Sequence, residues 1–348
     1  MPLPARPVLK PALRRVWRDS ATLQLGLDPA RAILLAGLDA ADSRLLTLLD
    51  GSRDVATVFA EADRAGCGPE RAVRVIELLA AADALDDAPP DDPRLAPDLL
   101  SLSLLHRGAG AAARVLHRRR AASVVVHGAG RVGASLAGLL VAAGLGAVTV
   151  VDDAPVRPAD LAPGGIRSHS ASHRGTAATQ PFRGRSPRQR VTTGRTPTAH
   201  VDLAVVAPAG STAPPEVLAA VRRQPHLLVT IRETTAYVGP LVRPGVSACL
   251  RCLHLARADR DPAWSELAAQ LAGSGRDVEA CDVTLATFAA AIAAMQVLNE
   301  IDGTAQQAST LGGVLEFDLA DGRLRRRSVR SHPSCGCGAA SVEATMDA

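Results

Sequence analysis

The sequence predicts an α/β protein: a Rossmann-like parallel-sheet domain preceded by a small winged-helix-like α+β domain. Three observations carry that expectation. Gly128-Ala129-Gly130-Arg131-Val132-Gly133 stands between an apolar strand pattern and an apolar helix pattern. A second apolar run, 147–151, ends in Asp152 and Asp153, so strand, helix and strand follow one another as in a βαβ unit. Upstream, short alternating segments give way to three helical periods. At 348 residues the chain also exceeds what one hydrophobic core usually organises.

Taken in order, Leu23, Leu25 and Leu27 alternate with Gln24 and Gly26, and 33–35 follow the Asp28-Pro29 turn, which gives strands. Helices are expected over 42–50, from Asp54 to before Gly66 with Val55, Val58, Phe59 and Ala62 on one face, and from Pro69 with Val73, Ile76 and Leu79 aligned. Residues 1–87 thus read as one module. Pro89-Pro90-Asp91-Asp92-Pro93 marks a linker, and an arginine-rich helix over about 98–120 completes the segment 88–120. The sheet domain occupies 121–338, with 339–348 as a tail. It opens with a strand at 123–127 and a helix at 131–143. From 161 to 201 there is no Asp or Glu but there are seven arginines, Arg167, Arg174, Arg183, Arg185, Arg188, Arg190 and Arg195. No helical period survives there, so a solvated crossover is expected, with a basic arm for an acidic partner as the sharper alternative. Strands return at 202–206, 227–231 and 237–242, and Leu315, Phe317 and Leu319 lead through Asp321-Gly322 into a hairpin with one charged face.

Composition excludes several classes. Aromatic residues are 2% and the formal net charge is +4, which disfavours a stacking platform or a basic face for nucleic acid. The third helix carries Glu70, Arg71, Arg74 and Glu77, a mixed face that a DNA-binding winged helix would not choose. Lys10 is the only lysine. Residues 1–15 lack an apolar signal run, so the cytoplasm is the expected location and a disulfide framework is disfavoured. The uncharged stretch 132–151 is long enough for a bilayer, yet its glycines punctuate it as helix plus strand, so no membrane span is expected.

Two constellations can carry chemistry. Gly128 allows a tight turn, Gly130 lets backbone N–H groups approach a phosphate, and Gly133 lets the helix pack on the strand. Asp152, 19 residues after Gly133, stands where a carboxylate accepts hydrogen bonds from a ribose. These four residues point to nucleotide binding without choosing between NAD and ATP; the alternative is a scaffold whose glycines serve packing alone. Cys249-x-x-Cys252 and Cys335-x-Cys337 supply four thiolates for a structural Zn²⁺, with no open position for catalysis; the alternative is unpaired buried thiols. Cys67 and Cys281 have no partner at ligand spacing, and Glu279 and Asp282 beside Cys281 raise its thiol pKa and weaken it as a nucleophile.

Together, the glycine loop, Asp152-Asp153 and the two cysteine pairs, in that order, resemble the ThiF-like superfamily, relatives of ubiquitin-activating enzymes. The N-terminal module resembles a PqqD-like peptide-recognition element. With Gly239-Pro240-Leu241-Val242, Cys249-Leu250-Arg251-Cys252 and Asp259-Arg260-Asp261-Pro262-Ala263-Trp264, about residues 10–338 resemble the ThiF-like partner proteins of thiazole/oxazole-modified peptide (TOMM) biosynthesis, a bacteriocin pathway. The resemblance implies a structural zinc, pairing as a homodimer through the sheet domain and, in active relatives, adenylation of a peptide or protein carboxylate with Mg-ATP. Those relatives carry an Asn and an Arg after the second-strand acids, a downstream Lys, and an Asp after a later strand. Here Asp160-Leu161-Ala162-Pro163-Gly164 and Val206-Ala207-Pro208-Ala209-Gly210 occupy the first and last regions, and no lysine is local. The expectation is therefore a protein that binds a precursor leader peptide and presents it to a cyclodehydratase-type enzyme, with no catalytic residue assigned. The alternative is an active ThiF-type adenylyltransferase. An NAD-dependent oxidoreductase would rest on the glycine loop alone.

Overall fold

A computed structural model describes residues 3–87, 93–168, 171–182, 189–194, 200–273, 279–304 and 309–339. They fall into two compact units, Met1–His117 and Arg118–Ala348.

The first unit contains β1 (Pro7–Leu9), β2 (Arg15–Trp17), β3 (Leu23–Leu25), β4 (Ile33–Leu35), α1 (Ala40–Leu48), α2 (Val55–Arg64), α3 (Pro69–Ala81), β5 (Leu85–Asp87) and α4 (Ala96–Leu105), followed by the start of α5 (Ala111–Ala121). β2, β3 and β4 form an antiparallel sheet, and β1 pairs with β5. Leu23, Leu25, Leu45, Leu49, Val58, Ile76 and Leu79 are buried together, each contributing about 1.5–3 kcal/mol. Three short-range signals set the helix starts: an Asp39/Asp42 capping box, the Asp54 side chain accepting from Thr57 N–H, and Pro69 in the first turn. Lys10 is 1% exposed; its Nζ donates to Asp83 at 2.8 Å and to the Ser103 carbonyl at 2.6 Å, so it fastens this unit internally.

Some local expectations shift. α1 begins at Ala40, because Asp42 accepts from the Asp39 N–H and so lies inside the first turn. β3 stops at Leu25, and Leu27 is 64% exposed. The expected helix over 98–120 is two helices, α4 and α5, separated by a segment in which Gly108 and Gly110 take positive φ.

The second unit is built on one eight-stranded sheet in the order β13-β12-β11-β10-β9-β6-β7-β8. Its strands and helices are β6 (Ser123–His127), α6 (Arg131–Ala142), β7 (Ala147–Val151), α7 (Arg174–Thr179), β8 (Arg190–Thr193), β9 (Leu203–Val206), α8 (Pro215–Val221), β10 (His226–Arg232), β11 (Thr235–Val242), α9 (Leu250–Ala258), α10 (Trp264–Gly273), α11 (Val283–Asp302), β12 (Gly313–Asp318) and β13 (Arg323–Ser328). β8, β7, β6, β9 and β10 run parallel; β11, β12 and β13 continue antiparallel. The nearly wholly buried strands β6 and β9 explain their continuous Val and Leu runs.

Residues 132–151 divide into α6 and β7, as their glycines predict. α11 is long and apolar enough to cross a membrane by composition. Its Leu285, Ala286, Ala289, Ala290, Ala293 and Val297 join the main core with Ala134, Ala137 and Leu140 of α6, small side chains that let the two helices approach closely. Arg119 and Asp302, 5% exposed each, are joined by two parallel hydrogen bonds of 2.9 and 2.7 Å.

In the arginine-rich crossover the structure contains α7 and β8, the latter parallel to β7. This corrects the expectation of a run without regular structure. α7 has only six residues, too few for a helical period to show in sequence. Arg183, Arg185, Arg188 and Arg195 lie outside the described residues.

Candidate functional site

In the parallel part of the sheet, β7 and β9 flank β6 on opposite sides, a topological switch point where open α/β sheets form a crevice at the strands' carboxyl ends. A cleft of about 1050 Å³ lies there. His127 ends β6 and Gly128 follows it, Asp152 and Asp153 follow β7, Pro208 and Ala209 come after β9, and Arg131 stands at the head of α6.

The glycine loop is fixed by contact. A Cβ on Gly128, whose φ is +98°, would lie 2.1 Å from the Ala207 carbonyl oxygen; one on Gly133 would lie 1.9 Å from the Gly128 carbonyl oxygen. Gly133 therefore joins helix to strand as its sequence position predicts. Gly130 is the N-cap of α6 and supplies no side chain, so no side-chain cap covers the first-turn N–H groups. Gly128, Gly130 and Asp152 line the cleft; Gly133 lies behind it as a packing position.

Asp152 is already engaged. Its Oδ2 accepts from Ala129 N–H at 2.7 Å and its Oδ1 from Ala154 N–H at 3.0 Å, which clamps the glycine loop to the end of β7. Arg174, from α7, places Nε 3.5 Å from Asp152 Oδ2 and Nη1 3.4 Å from Asp160 Oδ1. Gly175 makes this approach available, since a Cβ there would lie 2.7 Å from the Asp152 carbonyl oxygen. The Asp160 Oδ2 accepts from Arg157 N–H. Arg131 donates to the carbonyls of Ala159 at 2.6 Å and Cys281 at 2.7 Å. Asp160 and Arg174 are the site residues that sequence reasoning missed; the arginine's only signal was membership of a basic run.

His127 and Cys281 also line the cleft. Burial holds His127 below its ordinary value and so neutral. Burial pushes the Cys281 thiol up; Arg131 pulls it down and Asp282 adds to the rise. It is therefore protonated at neutral pH and a poor nucleophile, chiefly through burial rather than through its acidic neighbours.

The four paired cysteines meet apart from the cleft lining. Cys249 is the N-cap of α9, with Cys252 in its first turn, and the hairpin β12–β13 returns the chain so that Cys335 and Cys337 face them. Cys249 Sγ is 3.8 Å from Cys252 Sγ and 3.6 Å from Cys335 Sγ, and Cys252 Sγ is 3.6 Å from Cys337 Sγ. A tetrahedron with Zn–S bonds of about 2.3 Å has edges of about 3.8 Å, so this donor set fits Zn²⁺. Burial and the crowding of the other thiols push Cys335 up to about 12, a cost that a coordinated dication removes. Burial also raises Cys337, but the Ala339 N–H and the neighbouring thiols bring it below the ordinary thiol value. Cys67 and Cys281 lie outside this cluster.

The second unit is thus a Rossmann-like α/β fold, and solved structures share the architecture over most of the chain. MccB from E. coli with ATP matches at a TM-score of 0.70 and 15% identity, covering 95% of this chain and 99% of that one. The microcin C7 biosynthetic enzyme MccB in complex with N-formylated MccA matches at 0.69 and 15%, covering 95% and 99%. PaaA matches at 0.66 and 16%, covering 91% and 98%. At such identities the shared property is the fold. No family model matches the chain, and no curated protein matches it in sequence.

Proposed function

We propose that the chain is a leader-peptide-binding protein that presents a ribosomal precursor peptide to a partner enzyme of the cyclodehydratase type and does not itself activate a carboxylate. The observation that carries this reading is the charge around the cleft. Among its described lining residues, the acids Asp152, Asp153, Asp160, Glu216, Glu279 and Asp282 outnumber the arginines Arg131, Arg157 and Arg174. Arg174 is shared between two of those acids and Arg131 is bound to two carbonyls. The one lysine is buried against Asp83 and Ser103. A triphosphate needs preorganised cations, and loss of a single such donor costs about 10²–10³ in rate. The segment after β9, Ala207-Pro208-Ala209-Gly210, offers no carboxylate for Mg²⁺.

In this reading residues 1–87 are the recognition module, and the peptide adds as a strand to the open edge of β4, where Leu34 is 54% exposed. Zinc is structural, joining α9 to the end of the hairpin, and pairing of two chains through the sheet unit belongs to the same reading. MccB, whose fold the chain shares, has been solved with the peptide MccA, which supports a peptide as the ligand class. The free thiols fit a reducing compartment such as the cytoplasm.

A second reading is an active adenylyltransferase. The cleft of about 1050 Å³ at the uncapped start of α6 favours it. Calorimetric titration of the full chain with precursor peptides encoded beside it, with and without Mg-ATP, separates the two. The proposed function predicts binding that is independent of the nucleotide; no binding of any such peptide contradicts it.

A further inference from the structure

The stretch Asp259-Arg260-Asp261-Pro262-Ala263-Trp264 takes no part in the cleft, and it delivers Trp264 to a different cluster. Arg232 ends β10, Tyr237 lies on β11, and His254 and Arg257 stand three residues apart on α9. Trp264 Nε1–H donates to His254 Nδ1 at 3.2 Å, which fixes the indole. The Arg257 Cζ lies 5.0 Å from the centre of the Trp264 ring. Arg232 Cζ lies 5.8 Å from the same ring and 5.2 Å from that of Tyr237. The rings thus hold two guanidinium groups by cation–π contact, which leaves their N–H edges for a planar acceptor.

That acceptor is missing among the described residues. Arg232 Nε is buried without a hydrogen-bond partner. Among the described residues neither guanidinium is in an ion pair, and the neighbouring carboxylate, Glu316, is bonded to Arg327 instead. Burial, together with the Arg232 charge, pulls Arg257 down to about 10. Like charges brought together, desolvated and stacked on aromatic rings form a recognition edge for an anion.

We propose that Arg232, Tyr237, Arg257 and Trp264 form a second binding site, separate from the cleft, for an oxyanion group carrying two negative charges, a phosphate or a dicarboxylate. The two guanidinium edges grip its oxygens, and the dianion cancels their mutual repulsion.

Trp17 and Trp264 are the only tryptophans, so the full chain carrying W17F reports on Trp264 alone. Its fluorescence is titrated with inorganic phosphate in one arm and succinate in the other, at constant ionic strength set by sodium chloride. The proposal predicts a saturable change in at least one arm; saturation by phosphate alone identifies a phosphoryl ligand, and saturation by succinate identifies a carboxylate ligand. In the W17F background, R232Q and R257Q weaken the response about tenfold or more. R257K keeps the charge but loses the fork, and it too weakens binding, which keeps the test available where a glutamine variant does not fold. No saturable change with either anion, or an affinity unaltered in R257Q or R257K, overturns the proposal.

Discussion

Arg174 bridges two carboxylates, with Nε 3.5 Å from Asp152 Oδ2 and Nη1 3.4 Å from Asp160 Oδ1, all three side chains being about nine-tenths buried. Asp152 in turn holds the glycine loop through Ala129 N–H. Removing the guanidinium leaves two buried acids facing each other. R174Q is therefore expected to lower unfolding free energy by about 1–3 kcal/mol, measured by urea titration. An unchanged midpoint would mean that the bridge contributes nothing.

The glycine loop gives a sharper steric expectation. A methyl group on Gly133 would sit 1.9 Å from the Gly128 carbonyl oxygen, which is backbone and cannot swing aside. G133A should cost about 3 kcal/mol or more and move the thermal midpoint down by several degrees. A variant as stable as the parent would show that α6 docks on β6 differently.

The thiol cluster predicts one equivalent of zinc per chain by elemental analysis of purified protein. C252S, which removes a ligand from the first turn of α9, should lose the metal and release the end of the hairpin from that helix. A loss of about 2–4 kcal/mol is expected, read as a fall in thermal midpoint of about 5–10 °C. Full zinc occupancy in C252S would contradict a four-sulfur site.

Two buried histidines set a pH dependence. Burial holds His127 and His226 below the ordinary value of 6.5, and neither Nε2 has a hydrogen-bond partner among the described residues. As pH falls through about 6.5 the unfolded chain takes up protons that the folded chain does not, so unfolding is favoured. Stability should rise from pH 5 to pH 7 and level off above that, with each unit of depression worth about 1.4 kcal/mol. Urea midpoints across that range check it, and a flat profile would show the rings to be solvated.

Much of this was legible in the chain because it was local. The glycine loop, the two cysteine pairs, the strands of the sheet other than β8 and the three N-terminal helices are signalled by spacing and period within a few residues. The pairing of Arg119 with Asp302 is not, because the partners stand 183 positions apart and either residue alone reads as solvated. Arg174 was hidden for another reason: a six-residue helix has no visible period, and seven arginines in one polar run look interchangeable until the fold selects one. Asp160 was legible only as a departure from the pattern of relatives, and its partner had to come from the crossover.

The central claim is that the chain binds its peptide without activating a carboxylate. Pyrophosphate exchange with Mg-ATP, run on the zinc-loaded full chain with its precursor peptide present, tests it most directly. The expected result is exchange no faster than in protein-free buffer while the same sample binds the peptide. Peptide-dependent exchange, with an acyl-adenylate trapped on the peptide terminus, would contradict the account.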